Sequence, residues 1–216
     1  MTTHRLPAST TEERTFAVEK AVRLLRHGAL VIIPTDTVYG VAASLEWPDA
    51  VERIFEAKGR PAKRTLPILA GSPAAAWKAL RDVSRGARAL GDRFWPGGLT
   101  LVLNAGRPLP PGVAAADGSV GVRVPAHPVA LAILESCGGT LAVTSANRSG
   151  EPSAKTAQAA IDALSDWVGA VIDAGPAPVG RDSTVVDARG PEPLQLRPGA
   201  VPWHDVLAVW GEASKH

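Results

Sequence analysis

The feature that most constrains the fold is the alternation of two sequence patterns along the chain. Short, continuously apolar runs rich in β-branched residues, as at 29–33 and 120–124, are typical of strands buried on both faces of a sheet. Between such runs, apolar residues recur at helical spacing, as at 49–57 and 86–94. Strands that alternate with helices in this way predict an α/β fold built on one largely buried sheet.

The remaining elements continue this alternation. A capping box formed by Thr10 and Glu13, with apolar residues at helical spacing after it, predicts a first amphipathic helix that ends at His27 and Gly28. Further strands are expected at 66–70, 99–103, 141–143, 170–172 and 184–186, and further helices at 74–80, 129–135 and 157–164. The Pro/Gly-rich connection before the strand at 120–124 is too short for a parallel crossover, so we expect a mixed sheet.

The length of 216 residues suits a single compact domain. No shift in composition, internal repeat or low-complexity tract divides the chain. We therefore predict one domain over residues 12–200, followed by a short C-terminal tail, 201–216, that is amphipathic and packs on the domain.

The net charge and the cysteine content limit the range of possible functions. The 23 Lys and Arg against 21 Asp and Glu leave a net charge of +2, which excludes the strongly cationic field of many nonspecific nucleic-acid binders but allows a local basic patch. Cys137 is the single cysteine, so an intramolecular disulfide and a Cys-cluster metal site are excluded, and a cytoplasmic location is expected. No signal peptide and no apolar run of about 18 residues is visible, so no membrane association is expected.

Several common catalytic patterns do not occur. The chain contains no P-loop, no G-x-G-x-x-G, no H-E-x-x-H and no G-x-S-x-G. The five histidines lie singly and far apart, so no protein metal site is expected. A nucleotide, if bound, must be held by other residues.

Polar residues concentrate at the ends of predicted strands and helices, where an α/β sheet usually binds its ligand. Four such clusters lie at 34–40, at 58–64, at 144–153, and at 180–187 together with 195–199. The first could donate to a small polar ligand or form a Thr/Asp turn. The second could neutralise a triphosphate or a helix C-terminus, and the third and fourth could be binding segments or ordinary polar loops.

Two arginines in predicted strands add a requirement. Arg123 interrupts an apolar strand, and Arg197 lies opposite two leucines if 194–197 is a strand. A buried or half-buried arginine must be paired with a carboxylate, either from the protein or from a ligand.

Seven motifs taken together resemble a known family. They are Pro-Thr-Asp-Thr-Val-Tyr-Gly at 34–40, Lys-Gly-Arg-Pro at 58–61, Trp-Pro-Gly-Gly-Leu-Thr at 95–100, Val-Arg-Val-Pro at 122–125, Ser-Ala-Asn-Arg-Ser-Gly at 145–150, Ser-Thr-Val-Val-Asp at 183–187 and Arg-Pro-Gly at 197–199. In order and spacing, from about residue 15 to 200, they resemble the YrdC-like threonylcarbamoyl-AMP synthases. The resemblance implies a twisted mixed β-sheet with flanking helices around a cationic concave groove.

The resemblance also implies a reaction. Such an enzyme joins L-threonine, bicarbonate or carbon dioxide, and ATP into threonylcarbamoyl-AMP and releases pyrophosphate, for the threonylcarbamoyladenosine modification of tRNA. Magnesium is expected to accompany ATP, without a protein cage. Implied partners are the downstream tRNA-threonylcarbamoyl transferase proteins and, directly, tRNA or double-stranded RNA.

Site roles follow from the matching motifs. Lys58 and Arg60 would be catalytic and would hold the nucleotide phosphates with Ser145 and Asn147. Further ATP contacts are expected from four residues: Arg64, Ser119, Ser153 and Arg197. Threonine would be surrounded by Thr37, Arg123, the backbone of Val143, and Ser183, with Arg123 pairing the threonine carboxylate.

Two other interpretations remain open at this stage. The same groove could bind double-stranded RNA or tRNA through phosphate contacts, without chemistry. Alternatively, the chain could be a paralogue of the family that acts on a different carbamoyl-type substrate.

Overall fold

A computed structural model describes residues 3–59 and 65–215. The strands are β1 (His4–Pro7), β2 (Val31–Ile33), β3 (Gly40–Ser44), β4 (Ile68–Ala70), β5 (Leu80–Arg81), β6 (Leu99–Ala105), β7 (Ser119–Arg123), β8 (Thr140–Ser145), β9 (Ala170–Asp173), β10 (Thr184–Asp187) and β11 (Leu194–Arg197). The helices are α1 (Thr11–Arg26), α2 (Pro48–Lys58), α3 (Pro73–Lys78), α4 (Arg85–Phe94), α5 (Pro128–Ser136), α6 (Ala157–Leu164) and α7 (Trp203–Ala213). A 3₁₀ turn, Ser165–Trp167, follows α6.

All of these strands join one mixed sheet in the order β1-β9-β2-β3-β8-β4-β7-β6-β10-β11, with β5 paired to β6. Strands β1, β9 and β2 run parallel, β3 is antiparallel to both β2 and β8, and β7 is antiparallel to β6. The prediction of an α/β fold with a mixed sheet is therefore confirmed, including the antiparallel entry into the strand at 119–123.

Each face of the sheet carries its own core, which explains the continuously apolar strands. On one face Val31 and Ile33 pack with Leu25 of α1 and Ile133 of α5. On the other face Ile32 packs with Ile54 of α2 and Leu90 of α4. Because neighbouring side chains of a strand point to opposite faces, β2 must be apolar at every position.

Strand β7 departs from this rule, and the departure locates the site. Val120 and Val122 are buried in the core shared with α2 and α4. By alternation, Ser119, Gly121 and Arg123 face the opposite side. That side of the sheet is therefore polar at β7, whereas at β2 the same side is covered by α1 and α5.

Elements outside the predicted limits 12–200 pack on the domain. Strand β1 pairs in parallel with β9 at the edge of the sheet; the sequence prediction omitted it because His4–Pro7 lacks a β-branched run. Helix α7 packs on α4, and Trp210 lies so close to Gly86 that a Cβ there would come within 2.8 Å of its ring. The tail thus contributes a buried side chain.

The start of α1 matches its prediction. Thr10 accepts a hydrogen bond from the Glu13 N–H at 3.1 Å, and the Glu13 carboxylate accepts one from the Thr10 N–H at 3.0 Å. This reciprocal cap stabilises the helix by about 1 kcal/mol. None of the helices within 3–59 and 65–215 is long and apolar enough to cross a membrane.

Candidate active site

A polar cavity opens where the loop after β2 meets the ends of β7, β8, β10 and β11. Its lining includes six of the residues that the sequence predicted for substrate binding: Thr37, Arg123, Val143, Ser145, Ser183 and Arg197. These residues are spread over 160 positions of the chain, and the sheet brings them to one place. Three of the four polar clusters of the sequence, at 34–40, at 144–153, and at 180–187 together with 195–199, therefore line one cavity. From the second cluster, Lys58 bonds to the loop after β8.

Arg123 is the most constrained side chain of the cavity. It is only 5% exposed, and its Nη2 donates to Asp36 Oδ1 at 2.5 Å. Its Nη1 donates to Thr37 Oγ1 at 2.6 Å and its Nε to the Gly97 carbonyl at 2.8 Å. Each Nη carries two N–H groups, so one N–H on each remains without a partner among the described residues.

The electrostatics of this pair agree with its geometry. Burial lowers the pKa of Arg123, while the adjacent carboxylate of Asp36 opposes the shift. A guanidinium stays charged at neutral pH even so. Asp36 also accepts the Ala126 N–H at 2.9 Å, which fixes the carboxylate and, through it, the plane of the guanidinium.

The loop 34–40 is both a turn and part of the cavity wall. Thr35 Oγ1 accepts the N–H groups of Thr37 and Val38 at 3.2 and 3.3 Å, as in a hydroxyl-capped turn. The phenol of Tyr39 is not available to a ligand, because it is buried and donates to the Gly175 carbonyl at 2.6 Å. Burial raises the pKa of Tyr39 to about 12. The turn thus presents Thr37, with Asp36 behind it.

A second arginine borders the cavity from β11. Arg197 Nη2 donates to the Ser183 carbonyl at 2.8 Å and to Ser183 Oγ at 3.0 Å. Ser183 Oγ also lies 2.8 Å from Thr100 Oγ1. Gly199 allows this arrangement, because a Cβ there would lie 2.3 Å from backbone atoms of Ser183 and Thr184. Ser183 is therefore held by two side chains, those of Arg197 and Thr100.

Lys58 and Asn147, both predicted phosphate ligands, bond to each other. Lys58 is 3% exposed, and its Nζ donates to the carbonyls of Ser145 and Asn147 at 2.5 and 2.6 Å and lies 3.3 Å from Asn147 Oδ1. Asn147 Nδ2 donates to the carbonyls of Arg148 and Glu151. In this structure both side chains shape the loop after β8, and Ser145 is the member of the motif that lines the cavity.

The other predicted ATP contacts fall in three places. Arg60 and Arg64 lie outside the described residues. Ser153 donates to Asp182 Oδ1 at 2.9 Å, at the border of the cavity. Ser119 is at the opposite end of β7 from Arg123, on the same face, and its N–H donates to Asp117 at 3.0 Å. The ATP roles of these residues stay predictions.

Sequence reasoning missed two carboxylates of the site. Asp36 is the partner that a buried Arg123 required, but the sequence could not say whether a protein or a ligand carboxylate would supply it. Asp182 lines the cavity and contributes to the electrostatic environment of Arg123. Asp36 stands inside the motif 34–40, and Asp182 lies in the polar cluster 180–187, directly before the motif 183–187, so position in or beside a motif was the available signal.

Two further observations concern metals and titration. Within 3–59 and 65–215, no three His, Cys, Asp or Glu side chains cluster as ligands of a metal ion. His127 caps α5 beside this region, its Nδ1 is buried without a partner among the described residues, and burial lowers its pKa. Its neutral form is therefore favoured in the folded protein.

Comparison with known proteins connects this site to one family. A family profile named Sua5/YciO/YrdC and described as "Telomere recombination" matches residues 23–199. A Pyrococcus abyssi protein named threonylcarbamoyl-AMP synthase is 39% identical over 91% of this chain, and a Bacillus subtilis protein of the same name is 37% identical over 90%. The chain covers 58% and 56% of their lengths.

A solved structure agrees with these matches. The crystal structure of P. abyssi Sua5 complexed with L-threonine superimposes with a TM-score of 0.90 at 36% identity, over 98% of this chain and 62% of the other.

Proposed function

Since the chain belongs to the Sua5/YciO/YrdC family, we propose that it is a threonylcarbamoyl-AMP synthase. It would join L-threonine, bicarbonate and ATP and release pyrophosphate. The observation that carries the proposal is the cavity in which Arg123, Thr37, Ser183 and Arg197 converge. The names of the relatives and the threonine complex support this function over RNA binding without chemistry.

The cavity has the groups that a small hydroxy amino acid requires. Arg123 has one N–H on each Nη left for a carboxylate, and its orientation is set by Asp36 and Thr37. A guanidinium so oriented can bind a carboxylate with two parallel hydrogen bonds. The hydroxyls of Thr37 and Ser183 can pair the threonine hydroxyl. The Val143 N–H already donates to the Pro67 carbonyl at 3.0 Å, so only its carbonyl is offered to the ligand.

The loop after β8 would receive the nucleotide phosphates. Ser145 supplies a hydroxyl at the cavity, and the Lys58 ammonium lies directly behind the loop, bonded to its carbonyls. A positive charge at this position attracts phosphate without touching it, and it holds the loop in one conformation. Arg60 and Arg64, outside the described residues, remain the predicted direct cations.

The reaction requires the protein to position the two reactants and does not require a nucleophilic side chain. The threonine ammonium loses a proton to solvent, and the neutral amine takes up carbon dioxide to form a carbamate, which releases a second proton. A carbamate oxygen then attacks the α-phosphorus of ATP as pyrophosphate leaves. Holding both reactants in one rigid cavity removes most of the entropic barrier. Fixed cations and hydroxyls stabilise the charge that develops on the phosphate oxygens.

Magnesium and protein partners are expectations of the same proposal. The described residues do not form a protein cage for the ion, so we expect ATP phosphates and water to hold magnesium, which would then neutralise phosphate charge. We expect a tRNA-threonylcarbamoyl transferase in the cytoplasm to consume the product.

The test is a pyrophosphate-release assay with three substrates. Purified protein with magnesium should release pyrophosphate when ATP, bicarbonate and threonine are all present, and only background amounts when any one is omitted. Release that does not depend on threonine, or no release, would refute the proposal.

A further inference from the structure

The threonine cavity contains a carboxylate that no role assigned above explains. Asp182 precedes β10, lines the cavity together with Arg123 and Arg197, and is partly buried. Its backbone carbonyl accepts the Ala200 N–H at 2.9 Å, which ties it to the segment after β11. Its Oδ1 accepts the Ser153 hydroxyl at 2.9 Å.

Asp182 differs from the other carboxylate near the cavity. The charge of Asp36 is compensated by Arg123 at 2.5 Å. Asp182 has no ion-pair partner within 4 Å among the residues that the structure describes. Its Oδ2 accepts no hydrogen bond from them either, whereas Oδ1 is anchored by Ser153. One oxygen is therefore held in place and the other is left for a ligand.

A bound amino acid presents charges of both signs to its binding site. At neutral pH threonine is a zwitterion, and its ammonium lies one carbon away from its carboxylate. Arg123 is already paired with Asp36 and Arg197 is exposed, so neither supplies an acceptor, and without a further carboxylate the ammonium would have no counterion in the cavity. Asp182 and Arg123 line the same cavity, and Asp182 contributes to the electrostatic environment of Arg123, so the two can meet the two ends of one small molecule.

We propose that Asp182 is the counterion of the threonine ammonium in this site. The inference rests on the proposed function, and it adds the residue that selects an amine. Arg123 binds the carboxylate, and the free Oδ2 of Asp182 accepts an N–H of the ammonium while Ser153 holds Oδ1. Asp182 thereby fixes the direction of the nitrogen that forms the carbamate once it has lost a proton.

The experiment compares two ligands on matched variants by isothermal titration calorimetry. The ligands are L-threonine and its analogue with a hydroxyl in place of the amine. Asp182→Asn keeps the shape and the oxygen that Ser153 bonds but removes the charge. Asp182→Glu keeps the charge, and Asp205→Asn removes a partly exposed carboxylate from α7 as the control.

The proposal predicts how the Kd of each ligand should change in each variant. Asp182→Asn should raise the Kd for threonine about 10- to 100-fold, which is less than the loss for a fully buried charge pair because Asp182 is only partly buried. The Kd for the hydroxyl analogue should stay within about twofold, Asp182→Glu should bind threonine more tightly than Asp182→Asn, and Asp205→Asn should match the parent chain.

Other patterns overturn the inference in distinguishable ways. Equal loss of both ligands in Asp182→Asn would mean that the residue only shapes the cavity, and unchanged threonine binding would mean that neutral acceptors hold the ammonium. Either result leaves the proposed function standing. No threonine binding by the parent chain would overturn the proposed function and this inference together.

Discussion

Replacing Lys58 by methionine tests whether this lysine shapes the loop after β8. The ammonium lies in the last turn of α2, is 3% exposed, and donates to the Ser145 carbonyl at 2.5 Å and the Asn147 carbonyl at 2.6 Å. Lys58→Met keeps most of the side-chain volume and removes the donors. Each buried acceptor left without a donor costs about 1–3 kcal/mol.

The expected loss of stability is smaller than the sum of these terms. Removing a buried charge also removes its desolvation cost, and Ser145 is partly exposed, so water can replace one bond. We therefore expect Lys58→Met to lower the free energy of unfolding by about 2–4 kcal/mol. For a domain of this size, that corresponds to a fall in Tm of about 5–15 °C.

The chain offers a matched control for the position in the helix. Lys78 is also in the last turn of a helix, α3, but is exposed. Lys78→Met removes the same charge from a helix C-terminus and should cost at most about 1 kcal/mol. Urea unfolding followed by circular dichroism measures both variants.

Two results would contradict the reasoning about Lys58. If Lys58→Met is no less stable than Lys78→Met, the hydrogen bonds of Lys58 do not hold the loop. If Lys58→Met is stable but binds ATP much more weakly, the ammonium contacts phosphate directly, as the sequence predicted.

Three further predictions address the cavity and its surroundings. Arg123→Lys should raise the KM for threonine about 100-fold, because an ammonium cannot replace the two parallel donors; an equal rise in the KM for ATP would contradict the assigned role. Gly199→Ala should lower the free energy of unfolding by about 3 kcal/mol in urea titrations, because its Cβ would lie 2.3 Å from backbone atoms of Ser183 and Thr184; a neutral effect would show that the segments separate easily. Burial lowers the pKa of His127, so as the pH falls its imidazole takes up a proton more readily in the unfolded state than in the folded state. The free energy of unfolding should therefore fall as the pH drops below 6.5, the ordinary pKa of histidine. His127→Gln should make that fall shallower in urea titrations at several pH values, and an unchanged slope would show that other groups cause it.

Most of the sheet could be predicted because its strands are recognisable locally. The runs at β2, β6 and β7 are apolar at positions that face both cores. Strand β3 was missed, although it lies between β2 and β8. Its residues are mostly small, and a Cβ at Gly40 would come within 2.7 Å of Val143. Small residues suit β3 because the neighbouring strand β8 approaches it closely. No local sequence pattern shows this approach, so the strand could not be predicted.

The site could be predicted as a set of segments but not as a set of contacts. The motifs predicted that Thr37, Arg123 and Ser183 belong together, and all three line one cavity. They did not predict that Asp36 takes the charge of Arg123, or that Lys58 turns its ammonium into the loop. Each of those outcomes depends on distances between residues about 90 positions apart.

The sequence alone therefore determined the α/β fold, the polar segments and the family, because periodicity and motifs are local properties of the chain. Only the tertiary structure decided which charges neutralise each other and which remain for a ligand. The reason is that a hydrogen bond or ion pair acts over about 3–4 Å, a distance that packing of the whole sheet sets. In this structure Arg123 pairs with Asp36, and Asp182 lines the cavity without an ion-pair partner among the described residues.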